Sequence, residues 1–171
     1  VNRDYQYIGY IDERTFQWLE KDLSYVPKDK LVFVVMHIPS SLQKKLRYNT
    51  LDQDETVNTA ALYKLLEGYN AHIISGHKHF NVNVCFNDSL MEHHTAAVCG
   101  TWWRADINVD GTPRGYGVYE VDGNQVKWLY KSAGYPKEHQ LHVYQAGSSD
   151  EYPSDIIANV WNWDEQWKVE W

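Results

Sequence analysis

Two strand-favouring stretches, each followed by histidine, limit what this chain can build. Leu31 to Met36 (LVFVVM) is unbroken, apolar and rich in β-branched residues. That is the pattern of a strand covered on both faces, as in a parallel sheet, not of a half-wet strand whose residues alternate. Ala71 to Ile74 repeats the theme before a tight Ser75-Gly76 pair. Parallel strands need a crossover between them. Asn58 can cap a helix there, Leu62, Leu65 and Leu66 form its apolar stripe, and Gly68 suits the left-handed residue that closes it. The expected unit is strand, crossover helix, parallel strand, and ligands of such sheets bind beyond the carboxyl ends of the strands.

The histidines fall at those ends. His37 follows the first run, and His77 and His79 follow the second. Imidazole nitrogen is the commonest protein ligand for metal ions, and Gly76 is expected to let the backbone swing both later rings toward one point. A His-x-His pair alone is more often a surface or hydrogen-bonded pair; a third histidine at a neighbouring strand end makes a metal site the stronger reading. Three histidines with one open position also describe a mononuclear zinc site that activates water. Among the other histidines, His93 and His94 adjoin on a predicted strand and must face opposite sides. His72, His139 and His142 have no partner visible in the sequence.

Upstream, Asp12 is a good N-cap for a helix carrying Phe16, Leu19 and Leu23 on one face, with Pro27 beyond its end. Ser40 to Glu55 is polar and aperiodic, and reads as a surface loop over the site. Beyond His79 the pattern becomes short strands and turns. Val82 to Phe86 and Leu90 to Cys99 flank Asn87-Asp88, and Gly115 to Val121 and Gln125 to Tyr130 flank Asp122-Gly123-Asn124, so both pairs read as antiparallel. Gln140 to Gln145, Ile156 to Trp161 and Gln166 to Trp171 are spaced like the strands of a sandwich. The join falls near Gly100.

Composition sets the outer limits. With 171 residues, 43% of them hydrophobic, there is material for one sizeable core or one and a half small domains. No apolar run approaches the roughly 20 residues of a spanning helix, and no basic-then-apolar leader opens the chain. A net charge of -7 argues against a nucleic-acid backbone partner, which needs clustered Lys and Arg. Cys85 and Cys99 could pair in an oxidising compartment, but two cysteines in apolar strand-like surroundings are more often buried free thiols, so the redox compartment stays open. The chain starts on Val1, and QWKVEW alternates up to Trp171 like a strand stopped partway, so an excised piece of a larger protein is expected.

Five stretches carry a resemblance: VVMHIP at Val34 to Pro39, SGHKH at Ser75 to His79, CGTWW at Cys99 to Trp103, DGTPRGY at Asp110 to Tyr116 and NVW at Asn159 to Trp161. With these in this order, the chain resembles the second half of a calcineurin-like metallophosphoesterase, of the bacterial subgroup with an added C-terminal β domain. The resemblance implies an α/β fold over 1–100, the C-terminal half of a metallophosphoesterase sandwich, then a β-rich, sandwich-like domain over 101–171, truncated at its end. It implies a hydrolase with two divalent metal ions (Mn, Fe or Zn), one held by His37 and His77 and the other by His79. The substrate implied is a phosphoester small molecule or a phosphorylated glycan or lipid, with Trp102, Trp103, Arg104 and Arg114 as candidate contacts.

One departure from the family is large. Its Asp-x-His, Gly-Asp and Gly-Asn-His motifs, the source of carboxylates, an asparagine and the general-acid histidine, do not occur ahead of His37. The catalytic general acid is therefore unassigned, and the chain alone is expected to bind no metal, or one ion weakly, and to hydrolyse phosphoesters negligibly. A half-sheet taken from a larger sandwich exposes an edge, so self-association is expected. The compartment is open; a periplasmic or exported parent protein is compatible with the resemblance. The alternative is a non-catalytic β-rich binding module, in which Trp102, Trp103, Tyr116, Tyr119, Trp128, Trp161, Trp163 and Trp167 form an aromatic platform for a flat ligand, although most of these rings are expected in the core.

Overall fold

A computed structural model describes residues 8–41, 55–164 and 166–170. Most of the predicted Ser40 to Glu55 loop lies outside them. Helix α1 (Glu13–Leu23) starts where expected, because the Asp12 carboxylate accepts a hydrogen bond from the Thr15 amide at 2.8 Å. Strand β1 (Leu31–Val35), helix α2 (Thr59–Leu66) and strand β2 (Asn70–Ser75) follow, and β1 pairs with β2 in parallel, Leu31 opposite Asn70. Gly68, at φ +81°, turns the chain out of α2. Asn58 precedes α2 without capping it through its side chain. Its amide instead closes on Ile11, accepting from the Ile11 N–H (3.0 Å) and donating to the Ile11 carbonyl (2.7 Å), so it ties the entry of one helix to that of the other.

The hairpin of β3 (Val82–Asn87) and β4 (Leu90–His94) does not stand apart from this unit. Strand β4 pairs in parallel with β2 and antiparallel with β3, so the sheet order is β1-β2-β4-β3. The predicted strand Leu90 to Cys99 stops at His94, and turns follow. Leu23, Leu62, Leu66, Tyr69, Ala71, Ile73 and Leu90 form the core between helices and sheet, with Phe16 and Leu19 packed against it.

Two ribbons make up the rest of the described strands, β5 (Gly115–Asp122) with β6 (Gln125–Ser132) and β7 (Leu141–Tyr144) with β8 (Ile157–Val160), both antiparallel. A second small core of Ala96, Tyr130 and Trp161 lies under them. The expected strand at Gln166 to Trp171 is not formed over 166–170; Trp171 lies outside the described residues. Asp164 instead captures the chain in a turn through the amides of Gln166 (2.8 Å) and Trp167 (3.1 Å). Alternation makes a strand only where a neighbour supplies the other half of the ladder.

The ribbon β5–β6 is fastened to the sheet by its turn. Asn124 accepts from the Leu31 amide at 3.1 Å, donates to the Asp29 carbonyl, and gives its own carbonyl to the Asn70 side chain at 3.0 Å. One turn residue thereby clasps the entries of β1 and β2.

Candidate metal and substrate site

The parallel pair β1–β2 runs on beyond its last paired residues, with Met36 N–H donating to Ile74 O and Gly76 N–H to His37 O, each at 3.0 Å. This zipping brings the two strand exits side by side. His37 Nε2 and His77 Nδ1 lie 3.2 Å apart, their rings edge to face at 5.0 Å. Two imidazole nitrogens about 2.0–2.1 Å from one tetrahedral cation stand about 3.3–3.4 Å apart. The observed pair is close to that spacing.

The turn that aims His77 is not built as the sequence suggests. Gly76 has an ordinary backbone, and a Cβ there would meet open space; the unusual conformation falls on the histidines, His77 at φ +87° and His79 at φ +53°. A non-glycine residue in that region costs on the order of 1–3 kcal/mol and persists only where its surroundings hold it. Trp102 (φ +47°) and Trp103 (φ +59°) are the other non-glycine residues of this kind among the described ones. All four belong to the stretches singled out from the sequence.

His79 turns to the loop after β4. Its Nδ1 donates to the Gly100 carbonyl at 2.7 Å and its ring stacks on Trp102 at 4.8 Å. A carbonyl only accepts, so the neutral ring carries its proton on Nδ1 and its lone pair on Nε2, the form in which backbone-anchored histidines bind metals. The structure thus joins His37 to His77 and His79 to Trp102. Among the described residues, no three or more His, Cys, Asp or Glu side chains gather into a metal cage. The imidazoles fit a cation as donors, but the anionic ligands of a dinuclear centre are not among them.

Holding the two exits together is a buried carboxylate that sequence reasoning missed. Glu92 on β4 is fully buried and accepts from the amides of Ser40 (3.0 Å) and Ser41 (3.1 Å), the Ser75 hydroxyl (2.6 Å) and the Ser40 hydroxyl. Ser40 lies three residues after His37 and Ser75 two before His77, so one side chain pins both turns. Desolvation raises its pKa, and the serine hydrogen bonds oppose the rise. The signal in the sequence was an acidic residue directly after the apolar Leu90 and Met91 of a predicted strand.

His93 and His94 do face opposite ways. His94 Nδ1 lies 3.2 Å from the Ser75 hydroxyl on the Glu92 side. His93 meets His72 on the other side, Nε2 to Nδ1 at 2.8 Å with the rings parallel, and its own Nδ1 reaches Asn83 Oδ1 at 2.8 Å. Trp128 and Tyr119 of the β5–β6 ribbon close over the pair. Burial, then the neighbouring His72, pushes the His93 pKa down to about 3.

Of the candidate substrate contacts, Trp102 and Trp103 are 52% and 83% exposed, and Arg104 is exposed beside them. Arg114 is exposed too, but pairs with Asp106 at 3.0 Å. Gly100 lets the loop that carries the tryptophans fold back on itself, since a Cβ there would lie 2.3 Å from the Ala105 carbonyl oxygen. Of the aromatic set, Trp161 is core, whereas Tyr116, Trp163 and Trp167 are more than a third exposed.

Residues 92–171, which include Trp102 and both ribbons, match the family model for the C terminal of calcineurin-like phosphoesterase. Over these residues the chain is similar to the C-terminal domain of calcineurin-like phosphoesterases. No curated relative and no solved structure matches it. The match begins within β4 and so takes in the end of that strand, Glu92 to His94, as well as both ribbons. Calcineurin-like phosphoesterases are phosphoester hydrolases that generally use divalent metals. No described helix is long and apolar enough to cross a membrane.

Proposed function

We propose that this chain supplies the histidine side of a dinuclear phosphoesterase centre, His37 and His77 holding one divalent cation and His79 the other. The observation that carries the reading is the 3.2 Å approach of His37 to His77 at the ends of two parallel strands. When bound, two such cations supply a hydroxide nucleophile and neutralise the phosphoryl oxygens. The chain's own residues do the rest: Glu92 sets the two turns, Gly100 fixes the His79 tautomer, and Trp102, Trp103, Arg104 and Arg114 edge the space where a phosphoester would lie. The substrate is a phosphoester small molecule or a phosphorylated glycan or lipid. In the same reading, 1–100 is the end of a catalytic domain and 101–171 an appended, sandwich-like β domain of a bacterial, exported parent. Strand β1, at the edge of the sheet with Val35 75% exposed, is where a second copy pairs in isolation.

The test is calorimetric titration of the chain with zinc and manganese, alongside para-nitrophenyl phosphate and bis-para-nitrophenyl phosphate hydrolysis. The expected result is weak binding of one ion, lost in both His37→Ala and His77→Ala, with no turnover above background. Neutral imidazoles without carboxylates leave the cation charge uncompensated, which accounts for both. Metal binding unchanged in both variants would remove the proposal.

A further inference from the structure

We infer that a second site, a cavity of about 490 Å³ in the C-terminal part, binds a neutral saccharide. The volume lies in the range of small-ligand sites, roughly 300–1,000 Å³. The cavity opens where the loop before β5, the base of the β5–β6 ribbon and strand β7 meet, and its walls include Asp106, Arg114, Tyr135, His139, Tyr144 and Trp161.

Its chemistry selects the ligand class. His139 stacks on one face of Tyr135 at 4.4 Å, and Tyr135 is still 52% exposed, so a single aromatic face stays open. Such a face, negative at its centre, suits the C–H side of a sugar ring; a planar base gains most from two. The wall is rigid, because the buried Trp161 backs His139 at 5.1 Å and donates its indole N–H to the His139 carbonyl at 3.2 Å. Polar groups of both kinds share the lining. Asp106 accepts, Arg114 donates, and the Tyr144 hydroxyl does either, which matches a ligand whose hydroxyls do both. The 3.0 Å ion pair between Arg114 and Asp106 cancels the cavity's strongest charge. Together with a chain of net charge -7, this disfavours a phosphate or carboxylate and leaves an uncharged polyol as the best match. Apart from Arg114, which the proposed function also sets at the margin of the substrate space, none of these residues belongs to the histidine site, and the inference stands without the metal reading.

Saturation-transfer NMR on the whole chain, with EDTA present, tests it with maltose, cellobiose, lactose and chitobiose as probes and adenosine as the planar competitor. Transfer to the C–H protons of at least one disaccharide is expected, with little to adenosine. Affinity should fall about tenfold in Tyr135→Ala and survive in Tyr135→Phe, which keeps the ring. Asp106→Ala should weaken it too, by removing the acceptor and freeing the guanidinium. The inference is overturned if the folded chain shows no transfer to any of the four sugars, prefers adenosine, or binds equally well in Tyr135→Ala and Asp106→Ala. Circular dichroism on each variant confirms that a loss reflects the site rather than the fold.

Discussion

Glu92 and His93 are neighbours on one strand that answer to pH in opposite senses. Burial raises the pKa of Glu92, so its ionised form costs stability that is recovered as pH falls and the carboxyl takes up a proton. Burial depresses His93 to about 3, so its neutral form stabilises the fold above the unfolded value near 6.5, and that contribution drains away as pH falls from there. Unfolding free energies from urea titrations at about pH 7 and about pH 4.5 should differ by on the order of 2–3 kcal/mol from His93 alone, and His93→Gln should flatten the slope. Replacing Glu92 by Gln sets an amide donor against serine donors and should cost about 2–3 kcal/mol at neutral pH. The same variant should shift the ring resonances of His37 and His77, which a merely local packing defect would leave in place.

Among the elements, the loop between β4 and β5 is under the tightest constraint. It packs Gly100 against its own backbone, holds Trp102 and Trp103 in left-handed conformations, and presents the carbonyl that orients His79. Gly100→Ala places a methyl where a carbonyl oxygen already sits and asks alanine for φ +60°. We expect a loss of more than about 1 kcal/mol in thermal or urea unfolding, since the strain exceeds the entropy gained by removing a glycine. Tryptophan fluorescence should change with it, as the Trp102 stack on His79 loosens. The Asn124 clasp has a different character, for it joins two elements, and its three hydrogen bonds cross 93, 95 and 54 residues of sequence.

For the whole molecule, the edge of the four-stranded sheet is the feature with consequences in solution. Strand β1 has β2 on one side only among the described residues, and Val35 near its exit is largely exposed. An unblunted edge with apolar side chains is a template for another strand. Sedimentation of the chain should show concentration-dependent dimers, and Val35→Lys should return it to monomer, because a charged residue in the edge opposes a second ladder. A monomer over the whole accessible concentration range would sink that idea while leaving the histidine pair untouched.

Periodicity and turn chemistry made much legible in advance: α1 with its Asp12 cap, the parallel β1–β2 pair, the left-handed Gly68, and the β5–β6 hairpin. Each depends on residues near one another in sequence or on a run whose burial is declared by composition. Their places at strand ends likewise marked His37, His77 and His79 as residues worth following, and the resemblance of five stretches to a known family added Trp102. What lay beyond the sequence were contacts between residues that share no local signal. The addition of β4 to β2, the Glu92 bridge between the two histidine turns, the His72–His93 pair and the Asn124 clasp each join side chains and backbone from distant segments. Gly76 shows the limit most clearly: the composition of the turn suggested where freedom was available, whereas the positions of Glu92, Gly100 and Trp102 decided that the strained backbone would be borne by His77 and His79. Local propensity acts through the few residues it can reach, and the geometry of a site is set by whichever distant groups the packed sheet brings against it.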